Sequence, residues 1–320
     1  MDLWNKYPEI ASELQLVEKT IRENVHSKNK LLNSITEELV ASGGKRLRPA
    51  FVILSAKFGE YDANKVIKLA GAIEILHTAT LVHDDVIDRS KLRRGKMTVS
   101  EKYGADMAIY TGDFLFTKAI MLLSGNVPLE NLDALARGVK TICEGEVSQF
   151  QDKFNLDVSI FSYIKRISRK TAVMFGAACA LGADLAKCSD DIKKNLVKFG
   201  LYYGIAFQIK DDLDNIISDV ETSGKPVSSD FMEGIITLPV IYALRQNKDA
   251  RDMLEKLAGK RNGMTFDDVK TVTEIVKNSG GIDSSVKLLR KYVDRGINAL
   301  KAIPDNPYKD IFYDLINSLR

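Results

Sequence analysis

The stretch "IKLAGAIEILHTATLVHDDVID", residues 67–88, constrains the fold more than any other part of the chain. Its apolar residues recur at spacings of three and four with too little alternation for a strand, so it reads as one long helix. The same period runs through "LDALARGVKTICEGEVSQF" (132–150), "DDIKKNLVKFGLYYGIAFQIKDDLDNII" (190–217) and "SSVKLLRKYVDRGINALKAI" (284–303). Only seven prolines occur. Pro49, Pro128, Pro226 and Pro304 flank turn-like residues where helices start or stop, and Pro239 predicts a kink or the first turn of a helix. No strand-turn-strand signal, fixed-length repeat or Ser/Gly/Pro-rich linker interrupts the pattern. The expectation is a single all-α domain over residues 1–320, a helix bundle whose long helices leave room for a central cavity.

Composition narrows the function classes. A net charge of +3 gives no global field for nucleic acid or an anionic membrane. Cys143, Cys179 and Cys188 form no C-x-x-C pair and read as reduced thiols, which predicts a cytoplasmic protein. "MDLWNKYPEI" lacks a signal-peptide core, and the uninterrupted apolar run "AVMFGAACALGA" is too short to span a bilayer, so no stable membrane insertion is expected.

Residues 67–88 end in Asp84, Asp85 and Asp88. On a helix, Asp84 and Asp88 lie one turn apart on one face. A charge run is usually a solvated helix end, but here an apolar helix leads into it. Aspartate is also disfavoured at a helix C-terminus, where the dipole is negative. A cation offsets both costs, and hard oxygen ligands with open positions suit Mg²⁺. A second cluster, Asp211, Asp212 and Asp214, ends another apolar helix in "FQIKDDLDNII". Basic residues accompany the first cluster: Arg93 and Arg94 in "RSKLRRGK" point different ways, so each can clamp a different phosphate. "GGKRLRP" adds Lys45, Arg46 and Arg48 but lacks the spacing of a Walker loop. Several divalent ions, several cations and an apolar interior suit a diphosphate ester of a hydrocarbon: the diphosphate leaves, and the carbocation is kept from water. Neutral oxygens such as those of Gln208 and Thr171 can face that cation without capturing it. No Ser/His/Asp or Cys/His arrangement suggests covalent catalysis. The three histidines have no zinc-ligand spacing, and a lone histidine such as His77 is more often structural.

In order along the chain, "GGKRLRP", "LVHDDVID", "LRRGK", "EGEV", "SRKTA", "FQIKDD" and "GKP" followed by "TLP" resemble the sequence blocks of the trans-polyprenyl diphosphate synthases. The resemblance implies the all-helical isoprenoid synthase fold and head-to-tail addition of isopentenyl diphosphate to an allylic diphosphate. It implies that Asp84 and Asp88 bind Mg²⁺ with Asp85 in support, and that Asp211 binds a further Mg²⁺ with Asp212 beside it. Arg93, Lys170 and Lys225 would then hold the allylic diphosphate, Lys45, Arg48, His77 and Arg94 the isopentenyl diphosphate, and Thr171 and Gln208 would face the reacting carbons.

Two positions depart from the family pattern. Asn215 stands at the last position of the second D-D-x-x-D motif, so Asp214 substitutes or the third carboxylate is absent. Ile235 stands where lysine is usual before "TLP". The small residues Ala79 and Thr80, about one turn before Asp84, resemble the long-chain type, in which a growing tail passes unobstructed. A short-chain product remains the alternative, with Phe114 or Phe116 as a deeper floor. The wording is most similar to a heptaprenyl branch whose catalytic chain works with a small regulatory subunit, so a homodimer or such a heteromer is expected. A non-catalytic subunit is the other alternative, although the first motif is intact.

Overall fold

The computed structural model describes residues 2–217 and 229–320. They form α1 (Pro8–Asn24), α2 (Lys30–Ala41), α3 (Leu47–Ala56), α4 (Ala63–Ile87), α5 (Val99–Tyr103), α6 (Ala105–Ser124), α7 (Leu129–Gln151) and α8 (Ile160–Ile167). Then follow α9 (Val173–Leu185), α10 (Asp190–Ile217), α11 (Ser229–Met232), α12 (Leu238–Gln246), α13 (Lys248–Gly259), α14 (Phe266–Asn278), α15 (Gly281–Lys301) and α16 (Pro307–Asn317). A single turn of π-helix, Ser168–Ala172, joins α8 to α9. Pro239 sits in the first turn of α12. The architecture is all-α, as the periodicity predicts.

One expectation is corrected. A two-stranded hairpin, β1 (Leu92–Arg93) and β2 (Lys96–Met97), lies in the basic loop after α4. Its two turn residues, Arg94 and Gly95, both have positive φ (52° and 76°), the requirement of a type I′ turn. Only the glycine announces such a turn; arginine at the first position is not one of the residues that normally signal it.

Contacts group the chain into two compact units, Met1–Ala136 with Ala177–Val197, and Arg137–Gly176 with Lys198–Arg320. In the first, α4 packs against α1, α3 and α6. Every residue from Leu69 to Leu76 is buried, so this part of α4 has no polar face. The one charge in that run, Glu74, accepts from Arg46 Nη1 at 2.8 Å, and Arg46 also pairs with Glu18. A buried charge held on both sides by partners is tolerated. Asp62 starts the helix by accepting from the Lys65 N–H at 3.3 Å. On α9, Gly182 runs so close to α3 that a Cβ there would overlap the Val52 carbonyl oxygen. By length and average hydropathy α4 and α6 are both apolar enough to cross a membrane, although uninterrupted runs alone suggest no such segment. Most of α4 is buried inside this unit, whereas α6 exposes Ile109, Tyr110, Ile120 and Met121.

The second unit is organised by the C-terminal part of α10. Phe199, Tyr203 and Phe207 recur at a spacing of four and form one aromatic face. Phe175 meets Tyr203 edge-on at 5.1 Å and Phe312 meets Phe199 at 4.7 Å, within the range where aromatic pairs attract. This packing fixes the next turns of α10, where Gln208, Asp211 and Asp212 sit.

Candidate active site

Each unit presents its own set of functional side chains. In the first, Asp84 and Asp88 occupy the C-terminal end of α4, one turn apart on one face and half-buried. Asp85, the next residue round the helix, is only 5% exposed. It takes Arg93 in a fork: Nε lies 2.9 and 3.0 Å from its two oxygens, and Nη2 lies 2.8 Å from Oδ1. The hairpin delivers Arg93 from β1 and carries Arg94 at its tip, where Arg94 donates to the Gly43 carbonyl. The adjacent arginines therefore diverge, as expected, with one already committed to a carboxylate.

Arg48 Nη1 lies 3.0 Å from His77 Nε2. Arginine can only donate, so His77 accepts on Nε2 and carries its proton on Nδ1. Burial, followed by the fields of Arg48, Arg94, Arg93 and Arg46, pushes His77 well below its ordinary pKa and keeps it neutral at pH 7. Lys45 is exposed, and its carbonyl is pinned by Trp4 Nε1 at 2.7 Å. A cavity of about 340 Å³ opens here, lined by His77, Arg93 and Arg94, by the carboxylates Glu74 and Asp85, and by the apolar Ile35, Leu81 and Val99. Glu74 and Asp85 pair with Arg46 and Arg93, and the remaining excess of positive charge around the neutral histidine suits an anionic ligand.

In the second unit, Lys170 and Thr171 lie in the π turn, a form frequent at functional sites. Lys170 Nζ meets both oxygens of Glu146 at 3.0 Å. Thr171 Oγ1 donates to Gln208 Oε1 at 2.7 Å, and Gln208 Nε2 donates to Asp212 Oδ1 at 2.8 Å. Tyr163, fully buried, donates to Asp212 Oδ2 at 2.6 Å. Burial, reinforced by Asp230 and opposed by these two hydrogen bonds, pushes the Asp212 carboxyl up to about 7. Asp211 is exposed beside it, while Asp212 is 5% exposed. Asp214 pairs with Lys210, and Asn215 Nδ2 donates to Asp230 Oδ2 at 2.7 Å. Lys225 lies outside the described residues.

Thus the sequence-predicted Arg48, His77, Arg93 and Arg94 come together, as do Thr171, Gln208 and Asp212. Sequence reasoning assigned no role to Glu146, Tyr163 or Asp230. Glu146 lies in "EGEV" and Tyr163 five residues before "SRKTA", but their partners are 24 and 49 residues away and leave no local signal.

The polyprenyl synthetase family profile matches residues 29–276. The chain belongs to the polyprenyl synthetase family. It is 36% identical to heptaprenyl diphosphate synthase component 2 of Geobacillus stearothermophilus over 98% of this chain and 97% of that relative. It is also 36% identical to a geranylgeranyl diphosphate synthase of Saccharolobus solfataricus over 89% of this chain and 87% of the relative. The crystal structure of a Caulobacter crescentus polyprenyl synthase, complexed with calcium and isoprenyl diphosphate, superposes with a TM-score of 0.93 at 34% identity, covering 99% of this chain and 96% of that one. The fold is therefore the all-α isoprenoid synthase fold, and the family's activity is that of a prenyltransferase.

Proposed function

We propose that the chain uses Mg²⁺ to add isopentenyl diphosphate head to tail to an allylic diphosphate, making a long-chain all-trans polyprenyl diphosphate. The observation that carries this reading is the concentration of Arg48, Arg93 and Arg94 around a neutral His77, close in sequence to the carboxylate pair Asp84 and Asp88. Asp84, Asp88 and Asp211 fit the metal role: they are hard oxygen donors at half-buried or exposed positions, whereas Asp85 and Asp212 are buried. Bound there, Mg²⁺ would offset the charge of the departing diphosphate. Asp85 and Asp212 support these ligands from buried positions.

Arg93, Lys170 and Lys225 hold the allylic diphosphate, the first two by exchanging Asp85 and Glu146 for phosphate oxygens. Lys45, Arg48, His77 and Arg94 hold isopentenyl diphosphate, with Arg94 giving up the Gly43 carbonyl. Thr171 and Gln208 turn oxygens toward the carbon that develops positive charge, and the apolar surroundings exclude water.

The heptaprenyl relative and the small residues Ala79 and Thr80 favour a long product. The equally identical geranylgeranyl relative is the specific support for a short-chain reading. The apolar exposed face of α6 suits a homodimer, and the name "component 2" of the Geobacillus relative suits a heteromer with a small second subunit. The enzyme works in the cytoplasm. Incorporation of labelled isopentenyl diphosphate should depend on Mg²⁺ and disappear in Asp84→Ala; a variant with normal turnover would remove the metal role.

A further inference from the structure

We propose that Tyr163 and Asp212 are positioning residues: they fix the amide of Gln208, and through it the hydroxyl of Thr171, so that both present oxygen lone pairs to the reacting carbon. This rests on the prenyltransferase reading above and assigns Asp212 a task other than metal ligation.

Gln208 has a donor end and an acceptor end, and a half-turn about its last side-chain bond exchanges them at little steric cost. Which end faces the substrate decides whether the residue stabilises or repels positive charge. Asp212 settles the choice. Its Oδ2 accepts from the Tyr163 hydroxyl at 2.6 Å and its Oδ1 accepts from Gln208 Nε2 at 2.8 Å, so both of its oxygens serve as acceptors. With Nε2 committed to Asp212, Gln208 Oε1 points the other way, where it accepts the Thr171 proton at 2.7 Å. The Thr171 proton is thereby used, and what that hydroxyl has left to offer a ligand is lone pairs.

Burial makes the chain rigid. Tyr163 is inaccessible, Asp212 is 5% exposed and Thr171 is 7% exposed, so water cannot readily replace any link. The local fold also serves it. Residues eight apart in a regular α-helix differ in direction by about 80°. The π turn at Ser168–Ala172 advances less per residue, and so brings Thr171 back toward the side of Tyr163. An Asp212 with both oxygens engaged inside the protein is a poor candidate to coordinate an ion, whereas the exposed Asp211 beside it is a good one.

The test uses Asp212→Asn and Tyr163→Phe in the full chain. Asparagine can donate to Gln208 Oε1 and turn the amide over; phenylalanine removes only the hydroxyl. The readouts are kcat, KM for both diphosphates, the Mg²⁺ concentration for half-activation, and calorimetric affinity for the uncleavable farnesyl thiodiphosphate with Mg²⁺. Misplacing a group at the reacting carbon should lower kcat of Asp212→Asn by about 10–100-fold. Tyr163→Phe should cause a smaller loss, and both KM values, half-activation by Mg²⁺ and analogue affinity should stay within about twofold. A kcat of Asp212→Asn equal to wild type overturns the proposal, and so does a tenfold weakening of Mg²⁺ or analogue binding, which would mark Asp212 as a metal ligand. Tyr163→Phe supplies the same comparison where Asp212→Asn fails to fold. Absence of turnover in the wild-type chain, by contrast, would overturn the underlying functional reading as well.

Discussion

Asp84 and Asp85 are adjacent carboxylates with different physical situations, and replacing each by asparagine should separate them. Asp85 is buried and accepts the forked guanidinium of Arg93, with side-chain exposures of 7% and 36% for the two partners. Breaking a fully buried pair costs about 3–5 kcal/mol, and an exposed pair is worth at most about 1 kcal/mol. One partner here is a third exposed, so solvent screening places Asp85→Asn near about 2 kcal/mol. Asp84 is half-buried in the last turn of α4, where the helix dipole disfavours a negative charge. Neutralising it should change stability by less than about 0.5 kcal/mol. Thermal melts and turnover assays on both variants provide the check. Turnover should fall in both, since Asp85→Asn also releases Arg93, but only Asp85→Asn should lower the melting temperature, by about 4 °C. An Asp85→Asn protein as stable as wild type, beside a destabilised Asp84→Asn, would show that the Asp85–Arg93 pair does not hold the fold together here.

His77 is held neutral in the folded chain but takes up a proton near pH 6.5 when unfolded, so its contribution to stability is complete above pH 6.5 and is lost as pH falls below it. Urea unfolding between pH 6.5 and 5 should therefore show a slope shallower by up to about 1.4 kcal/mol per pH unit in His77→Gln than in wild type. Gly182→Ala places a methyl group against the Val52 carbonyl oxygen and should destabilise by about 1–3 kcal/mol, read as a lower melting temperature. Thr80 is half-buried on the face of Asp84, one turn earlier, so Thr80→Phe should shorten the product, as chromatography of dephosphorylated chains would show.

The helices were legible because a period of three and four survives in almost every segment: the pattern at 190–217 coincides with α10 residue for residue. The hairpin was not, because an Arg-Gly turn relies on an arginine with positive φ. The aspartate motifs were visible, but which member of each adjacent pair is buried depends on Arg93, Tyr163 and Gln208, and only the folded chain brings those to Asp85 and Asp212. The odd Asn215 likewise acquires its meaning from a residue 15 positions on. It meets the carboxylate of Asp230, while its neighbour Asp214 is paired with Lys210.

The most direct measurement of the central claim is the product formed from farnesyl diphosphate and labelled isopentenyl diphosphate with Mg²⁺. The purified chain would be assayed alone and with the small second subunit of a heptaprenyl synthase. Released diphosphate and labelled all-trans chains longer than twenty carbons, abolished by chelator, are the expected products. Unextended farnesyl diphosphate under both conditions would contradict that claim.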